Sequence, residues 1–206
     1  MPLALDEHSL ARGVRVLARR DSDLVRVVKA CGPPPLWARA PGFPTLVRII
    51  LEQQVSLASA QAAFNRLTTA GPVTARRFLE YDDARLKAIG FSRQKAAYGR
   101  HLAQALRERR FSLAALSRMD TAAAREALIQ LKGIGAWSAD IYLLMALRRP
   151  DVWPSGDLAL QVAAQKVKRL PARPSLEEME ELSQPWKPWR AVAARILWHH
   201  YLSQRG

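Results

Sequence analysis

Leu131-Lys132-Gly133-Ile134-Gly135-Ala136-Trp137-Ser138-Ala139-Asp140, followed after a short loop by Pro154-Ser155-Gly156-Asp157, is the stretch on which the fold turns. The first part reads as a tight Gly-x-Gly hairpin that opens a helix, and the second sets a lone carboxylate where another helix begins. A helix start presents unpaired backbone N–H groups and the positive end of its dipole, so a Gly-flanked turn there can approach an anion such as a DNA phosphate closely. The same pattern also serves as an ordinary αα-turn with a glycine cap, and by itself it does not choose between the two.

Charge bears on that choice. The chain has 32 Lys and Arg against 18 Asp and Glu in 206 residues, a formal net charge of +14. A compact chain this basic seeks a polyanion, with nucleic acid the leading class. The charge is spread along the chain rather than held in one tail, which a generally basic surface would also show. A single cysteine, Cys31, excludes an intramolecular disulfide framework and any Cys-only metal or iron–sulfur site, and it points to a reducing compartment. Met1 to Arg20 carries an acidic pair and an Arg-rich helical pattern instead of a long apolar run, so neither a signal peptide nor a membrane span is expected.

The dominant period along the chain is helical, and no alternating strand pattern survives between the Gly and Pro breakers. An almost all-α protein follows, with helices expected near 7–19, 21–30, 44–53, 56–69, 74–80, 82–88, 92–109, 112–117, 120–131, 136–148, 157–169, 175–183 and 188–203. The helix after the hairpin carries Trp137, Ile141, Leu143, Leu144, Met145 and Leu147 around nearly its whole circumference, the mark of a buried helix that fixes its own N-terminus. Asp140 on that helix reads as a structural carboxylate. Leu86-Lys87-Ala88-Ile89-Gly90 echoes the hairpin without its leading glycine and reads as a structural corner, with Ser92, Arg93 and Lys95 as secondary backbone contacts. Asp157, after Pro154-Ser155-Gly156, stands where a helix dipole favours negative charge; an N-cap and a catalyst are both open to it.

Leu-x-Gly-Ile-Gly-x-Trp-Ser-Ala, the later Pro-x-x-Asp, the upstream Glu52-Gln53-Gln54-Val55-Ser56 and the late Trp186-Lys187-Pro188-Trp189-Arg190 together resemble the helix-hairpin-helix DNA glycosylases, and among them the 3-methyladenine DNA glycosylase II group. The resemblance spans roughly residues 43 to 202, and the ordered set of four motifs is far more specific than any one. It implies two α-helical lobes with the lesion bound in a cleft between them. One lobe is expected over about 36–150, with the hairpin at 132–137, and the other over about 1–35 with 151–206. The chain is expected to be a compact, single-module form without the N-terminal β-rich domain of larger relatives.

Carried over by position, the resemblance makes the backbone of Lys132, Gly133, Ile134, Gly135 and Ala136 a phosphate grip, with a Na⁺ or K⁺ ion held by the carbonyls of Lys132 and Ile134. No other cofactor is implied. Asp157 matches the catalytic aspartate, and Gln53, Gln54 and Ser56 match the loop that probes the gap left by a flipped nucleotide. Gln54 stands where some members place an apolar wedge, so the inserted residue is left open. Trp137 and Trp198 match positions lining the base pocket. On a helical wheel Val192, Ala193 and Ile196 share the side of Trp189, while Trp198 falls opposite, beside Ala191, Ala194 and Arg195. That places Trp198 off the main core stripe, with a second packing face as the alternative; Trp186 and Trp189 read as core or corner residues.

Members that also cleave the DNA backbone use a lysine just after the hairpin to form a Schiff base, and Trp137 occupies that place. The resemblance therefore implies a monofunctional hydrolase that releases N-alkylated purines from double-stranded DNA in base excision repair and leaves an abasic site. A monomer in the cytoplasm, at the nucleoid in a prokaryote, is the matching expectation. A non-catalytic helix-hairpin-helix DNA-binding scaffold is the alternative from another class, and an enzyme of the same fold for other damaged bases is the third.

Overall fold

Capping side chains at the start of most segments, with helical periodicity behind them, explain why the chain forms helices and little else. The computed structural model describes residues 4–204; Met1–Leu3 and Arg205–Gly206, which fall in the lobe expected for 1–35 with 151–206, lie outside the described residues. Among the described residues the helices are α1 (Glu7–Arg20), α2 (Ser22–Cys31), α3 (Phe43–Glu52), α4 (Leu57–Thr69), α5 (Ala75–Glu80), α6 (Asp83–Ile89), α7 (Arg93–Arg107), α8 (Leu113–Leu116), α9 (Thr121–Ile129), α10 (Ala136–Met145), α11 (Leu158–Lys168), α12 (Leu176–Ser183) and α13 (Arg190–Ser203), with a 3₁₀ turn at Gln184–Trp186. No strand occurs among them. Asp6, Asp21, Ser56, Thr74, Asp82, Ser92, Ser112, Asp120, Asp157 and Ser175 each cap a helix by accepting a backbone N–H on the side chain. Each such cap contributes about 1 kcal/mol.

Six expected helices, α3, α7, α8, α9, α10 and α11, end one to three residues earlier than their periodicity suggests, and past four of them a non-glycine residue stands in the left-handed region. Gln54 (φ 55°) follows the end of α3, Arg109 (φ 58°) follows α7, Arg148 (φ 54°) follows α10 and Arg169 (φ 53°) follows α11. At α10 the chain turns so that Arg149 N–H reaches the Leu143 carbonyl at 3.0 Å, just before Pro150. The helix therefore stops at Met145 rather than 148.

Arg39–Tyr142 packs as one compact unit, and the described residues up to Ala38 pack with those from Leu143 onward as a second. The first unit is built on α3, whose Leu46, Val47, Ile49 and Ile50 are fully buried, with α4 and α7 against it. Phe78 lies edge-on to Phe43 and Phe91, with ring centroids 5.8 and 5.4 Å apart. Burying an aliphatic side chain of this size contributes about 1.5–3 kcal/mol.

In the second unit α13 is central, with α1, α2 and α11 packed on it. Every residue from Ala191 to Trp198 is buried, so this helix has no polar side over those two turns. Arg195, fully buried there, donates to the carbonyls of Leu36, Ala191 and Leu144 at 2.8, 2.9 and 2.9 Å. Burial lowers its guanidinium to about 10. It stays a cation that ties the Leu36 segment and the end of α10 to α13. Trp186 is buried, donates to Asp21 at 2.8 Å and lies edge-on to Trp153, the core role expected of it.

Candidate nucleic-acid interface and active site

The hairpin between α9 and α10 sorts its residues by alternation. Leu131 and Ile134 are buried and anchor the turn, with Ile134 N–H donating to the Leu131 carbonyl at 2.9 Å. Lys132, Gly135 and Ala136 are exposed. Gly133 has φ 89°, and a Cβ at this position would fall inside the ring of Tyr98 on α7. Glycine is required here by backbone and by packing alike. Gly135 differs: its φ is not positive, and a Cβ there would meet nothing within 4 Å. Nothing within the fold requires the second glycine.

Gln53, grouped by sequence with the probing loop, is half-buried and turned inward. Its side-chain amide donates to the Gly133 carbonyl at 2.8 Å and to the Ser138 hydroxyl at 2.9 Å. Ser138 is itself buried, which gives the Trp-Ser-Ala part of the motif a physical reason for its hydroxyl. Gln54, in contrast, is exposed, and its left-handed backbone sits at the turn between α3 and α4. Its neighbours Val55 and Leu57 are 45% and 62% exposed. Ser56 caps α4 by accepting Ser59 N–H at 3.2 Å. Lys95, read from sequence as a secondary backbone contact, instead donates to the Leu51 carbonyl in the last turn of α3 at 2.7 Å. Burial holds its ammonium below the ordinary value.

Asp140 is the structural carboxylate expected. It is buried and receives Arg125 through both oxygens, at 2.7 and 3.2 Å. Trp137 is half-buried at the second position of α10. Leu86–Gly90 forms the structural corner expected of the echo: Gly90 has φ 117° and closes on α4, where a Cβ would press on Arg66 and Ala63.

Asp157 is one of ten N-caps, so capping does not distinguish it. Its Oδ1 accepts Leu160 N–H at 2.9 Å and the indole N–H of Trp198 at 3.0 Å. The preceding segment is pinned by Trp153, whose indole donates to the Met179 carbonyl at 3.0 Å, and by Asp157 N–H on the Pro154 carbonyl at 2.9 Å. Asp21 also caps a helix and also receives an indole, but Lys168 Nζ lies 2.6 Å from it and its side chain is 9% exposed. That is a neutralised structural pair. Asp157 is half-buried, with one oxygen fixed by two N–H groups. The wheel places Trp198 off the core; the structure buries it and aims its N–H at the carboxylate.

Sequence gave no sign of the Gln53 brace, the Tyr98 ring under Gly133 or the Arg125 partner of Asp140. Among the described residues no three His, Cys, Asp or Glu side chains gather in a way that could hold a metal, and no helix is long and apolar enough to cross a membrane.

Comparison with known proteins places this all-α fold in a family. The chain belongs to the HhH-GPD superfamily of base excision DNA repair proteins, whose family description matches residues 47–188. The alkylbase DNA glycosidase-like protein mag2 of Schizosaccharomyces pombe is 30% identical over 183 residues, covering 86% of this chain and 85% of that protein. DNA-3-methyladenine glycosylase 1 of the same organism is 28% identical over 204 residues, covering 92% and 87%. The structure of the Schizosaccharomyces pombe 3-methyladenine DNA glycosylase Mag1 in complex with abasic DNA matches with a TM-score of 0.79 at 26% identity, over 91% of this chain and 95% of that one.

Proposed function

We propose that this protein is a monofunctional DNA glycosylase that hydrolyses the N-glycosidic bond of N-alkylated purines, of the 3-methyladenine and 7-methylguanine type, in double-stranded DNA. The observation that carries this reading is the Asp157 carboxylate, fixed through Oδ1 by Leu160 N–H and the Trp198 indole. The relatives named for 3-methyladenine and alkylbase excision support the same class of substrate.

In the reaction the bond between C1′ and the purine nitrogen breaks, and its electron pair leaves with the base. Positive charge develops on the deoxyribose, and an ionised carboxylate beside it stabilises that state. Asp157 also orients the water that attacks C1′, whose proton passes to the carboxylate and on to solvent. The products are the free base and an abasic site. An alkylated purine already carries positive charge, so its departure needs little help from a general acid. The electron-rich face of Trp198 attracts such a base by about 0.5–2 kcal/mol, and the resemblance gives Trp137 the same task from the start of α10. With Trp137 where backbone-cleaving relatives carry a lysine, no Schiff base forms at that position.

The backbone of Lys132 to Ala136 is assigned to the DNA phosphate. Two loop carbonyls are taken, that of Leu131 by Ile134 N–H and that of Gly133 by Gln53. The carbonyls of Lys132 and Ile134 are the neutral oxygens that suit a monovalent cation, which when bound would offset phosphate charge at the loop. Gln54 is the exposed residue at the tip of the probing loop. We assign the protein a monomeric state and the compartment that holds the DNA: the cytoplasm, at the nucleoid in a prokaryote.

Base release from methylated duplex DNA tests the proposal. The native protein is expected to release 3-methyladenine, and Asp157→Asn to bind abasic DNA while releasing no base. Equal release by both would refute the mechanism; release by neither, with DNA binding retained, would make the protein a scaffold.

A further inference from the structure

Immediately beyond Asp157 the second unit opens into a cavity of about 400 Å³ between α11 and α13. Leu158 and Val162 line it from α11, with Lys166 one turn further on; His200 lines it from α13, and Arg173 from the segment before α12. Gln204 lies at the end of α13. No lining residue is acidic, and none of the ion pairs among the described residues engages Lys166 or Arg173. That contrasts with Lys168, two residues away, which lies 2.6 Å from Asp21 and 3.0 Å from Asp23. Two cations with no carboxylate partner among the described residues, around one concave site, create a potential for an anion. Burial, and next the charge of Lys166, hold His200 below its ordinary value, so the Lys166 field reaches into the cavity.

The apolar part of the lining narrows the choice of anion. Leu158, 57% exposed, is the first residue of α11 and follows Asp157 in the chain. An exposed leucine there has no role in the core, whereas a sugar ring would cover it. A phosphodiester flanked by deoxyribose presents a charge for Lys166 and Arg173 and an apolar face for Leu158 and Val162.

We propose that this cavity is a phosphodiester-binding site for the DNA backbone, separate from the hairpin and supplied entirely by the unit that carries Asp157. The proposal rests on the protein acting on DNA, as argued above. Lys166 and Arg173 share one phosphate, His200 donates a neutral N–H to it, and Leu158 packs on the adjoining sugar.

The test is the salt dependence of binding to a duplex with a stable abasic analogue, for the native protein, Lys166→Gln, Arg173→Gln and the double variant. Losing one phosphate contact lowers the slope of log K against log salt by about 0.9. Each single variant is expected to lose up to that amount, and the double variant no more than about 0.9 in total, because the same contact is lost once. Native slopes in all variants would overturn the proposal. So would an equal loss in Arg12→Gln, an exposed cation on α1 that lies outside the cavity. The ring resonances of His200 give a second readout: abasic DNA is expected to shift them in the native protein and not in the double variant. A shift with inorganic phosphate at constant ionic strength but none with DNA would overturn the DNA assignment in favour of a free phosphate. Base release by the native protein separates the two claims. A protein that releases 3-methyladenine but shows no slope change loses only the cavity; one that shows the slope change without release keeps the cavity and loses the glycosylase function.

Discussion

Gly133→Ala and Gly135→Ala should have opposite consequences, although the residues are two apart in one loop. At Gly133, where φ is 89°, a side chain costs about 1–2 kcal/mol in backbone strain. The Cβ would also fall within the Tyr98 ring, and forcing that packing apart costs about 1–3 kcal/mol more. The sum is about 2–5 kcal/mol, and at about 2–4 °C per kcal/mol for a chain of this size the melting temperature should drop by about 4–20 °C. Tyr98→Ala in the same background should return only the packing part of the loss. At Gly135 a Cβ would meet nothing within 4 Å, and alanine is tolerated or stabilises by about 0.4–1 kcal/mol. Its cost should appear only against DNA, as about a tenfold loss of affinity from one weakened backbone–phosphate bond of about 1.5 kcal/mol. Thermal melts and anisotropy titrations with abasic duplex read the two effects separately. A Gly133→Ala protein that melts with the native one, or a Gly135→Ala protein that binds DNA as tightly, refutes the reasoning.

Trp198→Phe keeps an aromatic face but removes the N–H held by Asp157. A hydrogen bond to a charged group contributes about 1.5–3 kcal/mol, so the single-turnover rate of base release should fall by roughly 10- to 100-fold with little change in affinity for abasic DNA; a rate within twofold of native would make the tryptophan a wall and nothing more. Arg125→Ala removes the bidentate partner of the buried Asp140 and should cost about 1–3 kcal/mol in a urea melt, discounted because the arginine is 41% exposed. At Asp21 burial pushes the carboxyl up, but the hydrogen bonds from Lys168 and Trp186 outweigh it and hold the group below the ordinary carboxylate value. The sign follows: this stability is present above the unfolded value and is lost as pH falls through the lower folded one. Melts taken from about pH 5 downward should therefore show a loss below about pH 4 that is shallower in Lys168→Met; identical acid limbs would dismiss the pair as a source of stability.

What could be read from sequence was whatever depends on neighbours along the chain. Helical periodicity and Ser, Thr or Asp caps locate the helices because both act within a turn. Gln54, Arg109 and Arg148 escape because nothing in a glutamine or an arginine announces a left-handed backbone that tertiary packing imposes. The wheel gives the direction of Trp198 on α13 correctly, but direction does not say what lies there. With Ala191 to Trp198 buried on all sides, the far side of the helix is also interior, and Asp157 is the group waiting in it. Gln53 and Lys95 look like surface contacts in sequence because they are polar; their partners, a hairpin carbonyl and the end of α3, are 80 and 44 residues away.

The carboxamide of Gln53 has a further consequence for how this protein can change. The turn after α3 and the hairpin before α10 are separate in sequence, as if free to be exchanged one at a time for those of a relative. One side chain with its amide on both Gly133 and Ser138 makes them a single inheritable piece. A graft of residues 53–56 that omits this glutamine would leave the Gly133 carbonyl and the buried Ser138 hydroxyl short of a donor and disturb the hairpin without touching it. Redesign of the turn after α3 can begin at Gln54, and must leave its neighbour in place.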